Sequence, residues 1–87
     1  MARFVALIDG EAGAYGVTFP DLPGCTSGGG TTDEALRNAV EALRLWVEDA
    51  IADGEKLPKP RSVEELRADP YIAEAIAEGA TLAPVEG

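Results

Sequence analysis

The sequence predicts an α+β fold in which three antiparallel strands, a long helix and a further edge strand follow one another in the order β-β-β-α-β. Three observations support this prediction. Two short apolar segments flank a glycine-containing turn near the N-terminus, a long amphipathic segment follows, and an alternating segment with a proline lies near the C-terminus. With 87 residues, 46% of them hydrophobic and 26% charged, the chain 1–87 is predicted to form one globular domain with a modest core.

The first two strands are predicted to form an antiparallel hairpin. Residues 3–8 (RFVALI) are rich in β-branched and aromatic side chains, and residues 9–13 (DGEAG) supply the glycines that a hairpin loop requires. The return segment 15–19 (YGVTF) alternates large apolar with small or polar residues, which places its three large side chains on one buried face. Pro20 ends this strand because it has no amide hydrogen to donate.

A third, narrow strand is predicted at residues 25–27 (CTS), and the glycines 28–30 are predicted to turn the chain sharply after it. Cys25 is expected to be a small buried hydrophobe, since the sequence contains no histidine that could activate its thiol. A glycine run before a helix can also cradle a phosphate. No Lys-Ser or Lys-Thr follows this run, so a plain strand-to-helix connection is the favoured interpretation.

A long helix is predicted to begin at about Thr32 and to stop at Gly54. Thr31 and Glu34 have the spacing of a capping box, in which a hydroxyl and a carboxylate satisfy the free amides of the first turn. Apolar residues recur at three- and four-residue spacing along it: Leu36, Ala39, Val40, Leu43, Val47, Ala50 and Ile51. Charged residues on the other side have i,i+4 spacing, Arg37 with Glu41 and Arg44 with Glu48. The helix is therefore predicted to cover one face of the sheet.

Behind this helix, residues 55–62 (EKLPKPRS) are predicted to form a proline-containing, extended connector. Two short helices are expected after it. Ser62 begins a second capping box for a helix reaching about Arg67, and Asp69 with Pro70 has the arrangement of an N-cap followed by a first-turn proline.

The C-terminal segment 63–87 is thus predicted to hold short helices and a possible edge strand. Residues 81–85 (TLAPV) alternate weakly, and only an edge position tolerates their proline. They are predicted to form a fourth strand at the sheet edge or a trailing arm.

Composition and charge limit the possible functions. Sixteen acidic and seven basic residues give a net charge of −9, which disfavours direct nucleic-acid binding and favours a basic partner. With one cysteine and no histidine, a Cys/His zinc site, histidine acid–base chemistry and an internal disulfide are excluded, and no cofactor or metal is expected. The sequence has no apolar run of membrane-spanning length and no secretory signal, which predicts a cytoplasmic protein without a membrane partner.

The segment Phe19–Cys25 (FPDLPGC) is the candidate partner-binding loop. Two prolines and a glycine restrict its backbone, and Leu22 between them is expected to be exposed, so that docking would cost little entropy. The candidate contact residues are Phe19, Pro20, Asp21, Leu22, Pro23 and Trp46. The alternatives left open are that the loop only connects two strands, and that Trp46 belongs to the core rather than to an interface.

Three groups of residues carry a resemblance to a known family: Tyr15-x-Val17-x-Phe19-Pro20-Asp21-Leu22-Pro23-Gly24-Cys25, Gly29-x-Thr31-x-x-Glu34-Ala35-x-x-Asn38-Ala39-x-Glu41-Ala42-Leu43, and Leu57-Pro58-x-Pro60-x-Ser62. Over residues of about 3 to 62 the chain resembles the N-terminal domain of the bacterial HicB antitoxins. The resemblance implies a partial RNase H-like fold without nuclease activity. It also implies a partner, a small basic HicA-like toxin ribonuclease, whose RNA-binding surface the antitoxin covers.

The chain departs from that family in two ways. Gly30 stands where the family usually has an acidic residue before the capping threonine. Members commonly append a helix-turn-helix or ribbon-helix-helix domain, and this sequence has neither the length nor the basic residues for a C-terminal DNA-binding domain. Autoregulation through DNA is therefore not expected.

The function predicted from the sequence is that of a HicB-like antitoxin with no enzymatic activity. One alternative is a self-associating domain, a dimer or tetramer joined through sheet edges or Trp46. The other is a vestigial metal-dependent nuclease, in which Asp9, Asp21 and Asp33 would gather around a magnesium ion. Each of these carboxylates also has an ordinary structural interpretation, in a turn or in the first turn of a helix.

Overall fold

The computed structural model describes residues 2–87 and contains a four-stranded antiparallel sheet with helices on both faces. The elements in chain order are β1 (Arg3–Glu11), β2 (Ala14–Thr18), β3 (Thr26–Gly29), α1 (Thr32–Ala52), α2 (Val63–Arg67), α3 (Pro70–Ala77) and β4 (Thr81–Glu86). The strand order is β3-β2-β1-β4. The predicted α+β class and the order β-β-β-α-β are confirmed, with α2 and α3 inserted before the last strand.

Strand β1 lies inside the sheet, and both of its faces are covered. Its residues 4–8 are all buried. Phe4, Ala6 and Ile8 pack under α1, whereas Val5 and Leu7 point to the other face and pack with residues of α2 and α3. A strand buried on both faces is typically a continuous apolar run, which is what the segment FVALI shows.

The first hairpin is longer and tighter than the sequence predicted. Strand β1 continues to Glu11, paired with Ala14, so the predicted five-residue loop 9–13 shrinks to the turn at residues 12–13. The polar residues of this stretch extend the strand pair beyond the core into solvent, where their side chains need no apolar partner. Gly10, at φ 94°, tolerates the close approach of the Ala14 carbonyl that a Cβ atom would prevent.

The sharp turn predicted at glycines 28–30 is wrong for Gly28 and Gly29, and the chain bends only at Gly30 and Thr31. Gly28 and Gly29 belong to β3, opposite Gly16 and Tyr15 of β2. The glycines serve close packing instead: a Cβ atom on Gly29 would lie 2.6 Å from the backbone nitrogen of Ala35 in the first turns of α1. The sequence therefore needs glycine here because helix and strand backbones approach each other directly.

The three predicted helix starts are confirmed. Thr31 accepts a hydrogen bond from the amide of Glu34 (3.1 Å), and the Glu34 carboxylate accepts one from the amide of Gly30 (2.8 Å), one residue before the N-cap. Ser62 and Glu65 form a complete capping box. The Asp69 carboxylate accepts from the amide of Tyr71 (2.9 Å).

The solvent face of α1 differs from its prediction. Among residues 2–87, neither Arg37 with Glu41 nor Arg44 with Glu48 forms an ion pair; the pairs that do form join Arg3 to Glu86 and Arg61 to two aspartates. Long side chains on a solvated helix gain little from such pairing and lose rotamer freedom by it.

Strand β4 confirms the predicted edge strand rather than the alternative of a trailing arm. It pairs with β1 in antiparallel register, with Pro84 opposite Val5. Pro84 is tolerated because one side of an edge strand has no ladder partner. None of the helices found between residues 2 and 87 has the length and hydropathy that a membrane span requires.

Candidate protein-binding site

The Phe19–Cys25 loop is closed by its own backbone. The amide of Phe19 donates to the carbonyl of Cys25 (3.1 Å), the amide of Leu22 donates to the carbonyl of Phe19 (3.0 Å), and the amide of Cys25 donates to the carbonyl of Leu22 (3.0 Å). Gly24 adopts φ 79°, a value that favours glycine. Three internal hydrogen bonds and two prolines make this loop a fixed feature of the surface.

The expectation that Leu22 is exposed is wrong. Its side chain is 0% exposed and belongs to the cluster beneath α1, together with Phe19 at 1%. The loop turns this leucine inward, where it fills the core at the end of the sheet. In this conformation neither Leu22 nor Phe19 reaches a partner; Pro20 and Asp21 are half-buried, and Pro23 is exposed.

An ion cluster ties this loop to the connector and to the start of α3. The backbone amide of Arg61 donates to Asp21 Oδ2 (2.8 Å), and its Nε donates to Asp21 Oδ1 (2.6 Å). Its Nη1 donates to Asp69 Oδ2 at 3.1 Å. Side-chain exposure is 9% for Asp21 and 35% for Arg61. One guanidinium thus bridges two carboxylates that lie in distant parts of the sequence.

Hydrogen bonds in this ion cluster and in the N-terminal cap of α2 change the pKa values of Arg61, Asp69 and Glu65. The hydrogen bonds to Asp21 and Asp69 raise the pKa of Arg61. The hydrogen bond from Arg61, followed by that from the Tyr71 amide, lowers the pKa of Asp69. The pKa of Glu65 is lowered by its backbone and side-chain hydrogen bonds with Ser62. In each case the hydrogen bonds favour the charged form.

These lowered pKa values predict a loss of stability in acid. A carboxylate whose pKa is lower in the folded than in the unfolded chain stabilises the fold fully above its unfolded pKa, at about 4. This contribution disappears as the pH falls through the folded pKa. Urea unfolding between neutral and acidic pH should therefore show that Asp69→Asn, which keeps an N-cap oxygen, destabilises at pH 7 but not at low pH. An equal effect of Asp69→Asn at both pH values would contradict this assignment.

Trp46 connects α1 to the same loop. Its Nε1 donates a hydrogen bond to the carbonyl of Pro23 at 3.0 Å, and its half-buried ring packs against the first core cluster. Trp46 therefore packs against the core and also bonds the candidate loop, and its contact with a partner stays a prediction. The structure brings it together with the loop residues predicted to share its site.

Cys25 closes the loop from inside the core. It is buried, and its Sγ donates to the carbonyl of Ala42 at 3.6 Å. Burial raises the pKa of the Cys25 thiol, which disfavours the thiolate that a nucleophile needs. This position confirms the prediction of a small buried hydrophobe.

The three aspartates of the metal-site alternative are not brought together. Asp21 binds Arg61, and Asp33 lies in the first turn of α1. Within the part of the chain that the structure describes, no three His, Cys, Asp or Glu side chains are grouped so that they could hold a metal ion. The structure therefore contradicts the gathering of Asp9, Asp21 and Asp33 that the nuclease alternative required.

A groove of about 420 Å³ lies between the loop, strands β1 and β2, and α3; we call it the α3 groove. Apolar side chains line its interior, among them Leu7, Leu22, Ile72 and Ala75. Pro20, Pro23 and Tyr71 also line the groove, together with the charged residues Asp9, Arg61 and Asp69. Among residues 2–87 the Asp9 carboxylate forms no ion pair, whereas Asp69 is paired with Arg61. Apolar surface combined with this unpaired carboxylate suits a protein partner that carries basic residues.

Two residues of this site, Arg61 and Tyr71, are not marked as site residues by the sequence. The Tyr71 side chain is 76% exposed, although it is a large aromatic residue. In the sequence, Tyr71 directly follows the first-turn proline Pro70 and lies outside the apolar spacing of the short helix, and this position indicates an exposed side chain. Arg61 carried no local signal, because its partner Asp21 lies 40 residues away.

The fold of this chain, a four-stranded sheet between one long and two short helices, matches that of a solved antitoxin N-terminal domain. The chain is similar to the crystal structure of the N-terminal domain of Burkholderia pseudomallei antitoxin HicB, with 38% identity and a TM-score of 0.77, over 99% of this chain and 98% of that one. It is also similar to a chain of the HicA3 and HicB3 toxin–antitoxin complex, with 28% identity, a TM-score of 0.77 and coverages of 98% and 96%.

The family model for HicB-like antitoxins of bacterial toxin–antitoxin systems matches residues 4–85, and the chain belongs to this family. Antitoxin HicB 1 of Photorhabdus laumondii is 43% identical over 53 residues, which are 61% of this chain and 34% of that protein. The chain thus spans about a third of the length of this relative. The resemblance seen in the sequence is confirmed, and it continues beyond residue 62.

Proposed function

We propose that this chain binds a small basic toxin of the HicA type and neutralises it by covering its RNA-binding surface. The observation that carries the proposal is the similarity over nearly the whole chain to a component of the HicA3 and HicB3 complex. The chain would act by binding alone, in the cytoplasm where messenger RNA is cleaved, with no covalent step, metal or cofactor.

The charge of the chain supports this role. A net charge of −9 attracts a basic protein and accelerates the encounter. A toxin surface that binds RNA phosphates also binds carboxylates, so acidic side chains at the contact would occupy the place of the RNA backbone. On the α3 groove we expect Asp9 to take this role, because the Asp69 carboxylate is already paired with Arg61.

We place the toxin contact at the α3 groove and the adjoining surface of the Phe19–Cys25 loop. Pro20 and Pro23 present a fixed surface, held by the nearly buried Asp21 through its bonds to Arg61, and this reduces the entropy lost on docking. Trp46 supports Pro23 from the side. Phe19 and Leu22 take part only indirectly, since they anchor the loop from within the core.

Tyr71 is the residue on which we expect the binding energy to depend most. Exposed aromatic side chains that become buried on association are frequent interface hot spots. Tyr71→Ala should weaken binding of a HicA-type toxin that the native chain binds by about tenfold or more, measured by isothermal titration calorimetry. The thermal unfolding of the isolated chain should not change, because the side chain is solvated in the free protein.

The matched control is Ile51→Ala, which truncates an exposed side chain outside the α3 groove. It should bind the toxin as the native chain does. If Tyr71→Ala also binds normally, the toxin uses another surface. If the native chain neither binds the toxin nor reduces its RNA cleavage, the proposed function itself is wrong.

A further inference from the structure

The face of the sheet opposite α1 is only half covered. There the helices α2 and α3 pack on β1 and β4: within residues 2–87, the core cluster beneath them draws on these two strands and not on β2 or β3. Strand register and alternation place five residues on the uncovered half, which we call the open strip: Ala14, Gly16, Thr18, Thr26 and Gly28. The alanine and both threonines are exposed, and the glycines are half-buried.

The width of the open strip is close to that of one helix. Neighbouring strands lie about 4.8 Å apart, so β2 and β3 present a surface roughly 10 Å wide. A helix with its side chains is about 10–12 Å across. The α3 helix forms a wall along this surface, because Thr18 lines the α3 groove together with Tyr71 and Ala75. Side chains no larger than threonine make up the strip, so a helix can approach the strands closely.

Two carboxylates border the open strip. Asp9 lies opposite Gly16 and Glu11 lies opposite Ala14, so both side chains point to the same face as the strip. A Cβ atom on Gly16 would come within 2.9 Å of Asp9 Oδ1, so the missing side chain gives this carboxylate its place over β2. Among residues 2–87, neither Asp9 nor Glu11 forms an ion pair. Positive charge is therefore favoured on this surface.

We propose that the open strip binds a basic amphipathic helix of the toxin, which completes the helical layer that α2 and α3 begin. This inference rests on the proposed function and names the element of the toxin that makes the contact. The apolar side of that helix packs on Thr18 and Thr26 and against the exposed Tyr71. Its basic side chains reach Asp9 and Glu11.

Charge and spacing select this occupant. Asp9 and Glu11 are two residues apart on one strand, so their Cβ atoms are separated by roughly 7 Å. Basic residues at i and i+4 of a helix are separated by about 6 Å along its axis and can pair with both carboxylates at once. The net charge of −9 opposes a second copy of this chain on the same surface.

Thr26→Tyr tests the contact outside the α3 groove. Tyrosine is favoured in strands as threonine is, so the sheet should be kept, but its ring fills the open strip at β3. Binding of a HicA-type toxin that the native chain binds should weaken by about tenfold or more in isothermal titration calorimetry. The matched control is Thr81→Tyr, which makes the same change at an exposed threonine of β4. Thr81 lies opposite Ile8, on the α1 face, and this variant should bind the toxin as the native chain does.

A second measurement uses the unchanged complex and identifies the element of the toxin. Nuclear Overhauser effects from the γ-methyl groups of Thr18 and Thr26 should reach toxin residues that recur at three- or four-residue spacing, as on one face of a helix. The γ-methyl group of Thr81 should show none. Circular dichroism checks that both variants remain folded.

Contacts with two-residue spacing would mean that the toxin presents a strand instead. That result overturns the inference, and so does a Thr26→Tyr variant that binds as the native chain does, or a complex without such contacts. The proposed function survives each of these outcomes, because the native chain still binds the toxin. A native chain that binds no HicA-type toxin overturns the proposed function and the inference together.

Discussion

Leu22→Ala is expected to lower the free energy of unfolding by about 3 kcal/mol, the middle of the range for removing a fully buried leucine. Leu22 is among the largest side chains with no exposed surface, and it packs in the cluster beneath α1. Its truncation leaves a cavity at the base of a loop whose prolines and hydrogen bonds prevent collapse. For a domain of this length, Tm should fall by roughly 12–24 °C.

Urea unfolding followed by Trp46 fluorescence measures this loss. The single tryptophan reports on the same loop, because its Nε1 binds the Pro23 carbonyl. Leu57→Ala is the matched control: Leu57 lies in the connector and is 39% exposed, so the same truncation should cost less than about 0.5 kcal/mol. Similar losses for both variants would mean that Leu22 does not occupy the core in solution.

The second large effect is expected at Arg61. Arg61→Ala removes the guanidinium that donates to Asp21 Oδ1, so the Asp21 carboxylate, whose side chain is only 9% exposed, keeps the backbone amide of residue 61 as a donor but loses its counter-charge. Because Arg61 itself is partly solvated, we expect a loss of about 2 kcal/mol rather than the larger cost of breaking a fully buried pair. Arg61→Lys should recover only part of it, since an ammonium group cannot reproduce the guanidinium geometry.

Chemical denaturation measures the free energy of unfolding of Arg61→Ala, and Arg67→Ala is the matched control. Arg67 is exposed in the last turn of α2 and forms none of the ion pairs found in residues 2–87, so its removal should change stability by less than about 0.5 kcal/mol. A double-mutant cycle with Asp21→Ala should show coupling of about 1–2 kcal/mol. Coupling near zero would mean that Asp21 and Arg61 act independently.

Leu22 and Arg61 matter to the proposed function because they hold the Phe19–Cys25 loop in its shape. Leu22 anchors it from the core, Arg61 holds it to the connector, and Trp46 fixes Pro23. A surface held at three points does not have to be ordered when a partner binds, which preserves binding energy. The rigidity that the sequence suggested through its prolines thus results from tertiary contacts as well.

Much of the fold could be read from local patterns. The starts of all three helices follow from Thr31 with Glu34, Ser62 with Glu65, and Asp69 before Pro70, because the bonding partners in these caps lie within three residues of one another. The apolar run of β1 and the alternation of β2 have similarly short periods. The family resemblance followed from the same local motifs and their spacing.

The sequence by itself thus determined the order of the strands and helices, the acidic character and the family of this protein, since each rests on composition or on residues close along the chain. Only the tertiary structure decided that Leu22 points inward, that Arg61 joins Asp21 across 40 residues, and that Tyr71 stands exposed beside the α3 groove. These features depend on which surfaces meet when distant segments pack. The free energy of that packing depends on the whole core. For this reason no periodic pattern within a single segment of the sequence predicts it.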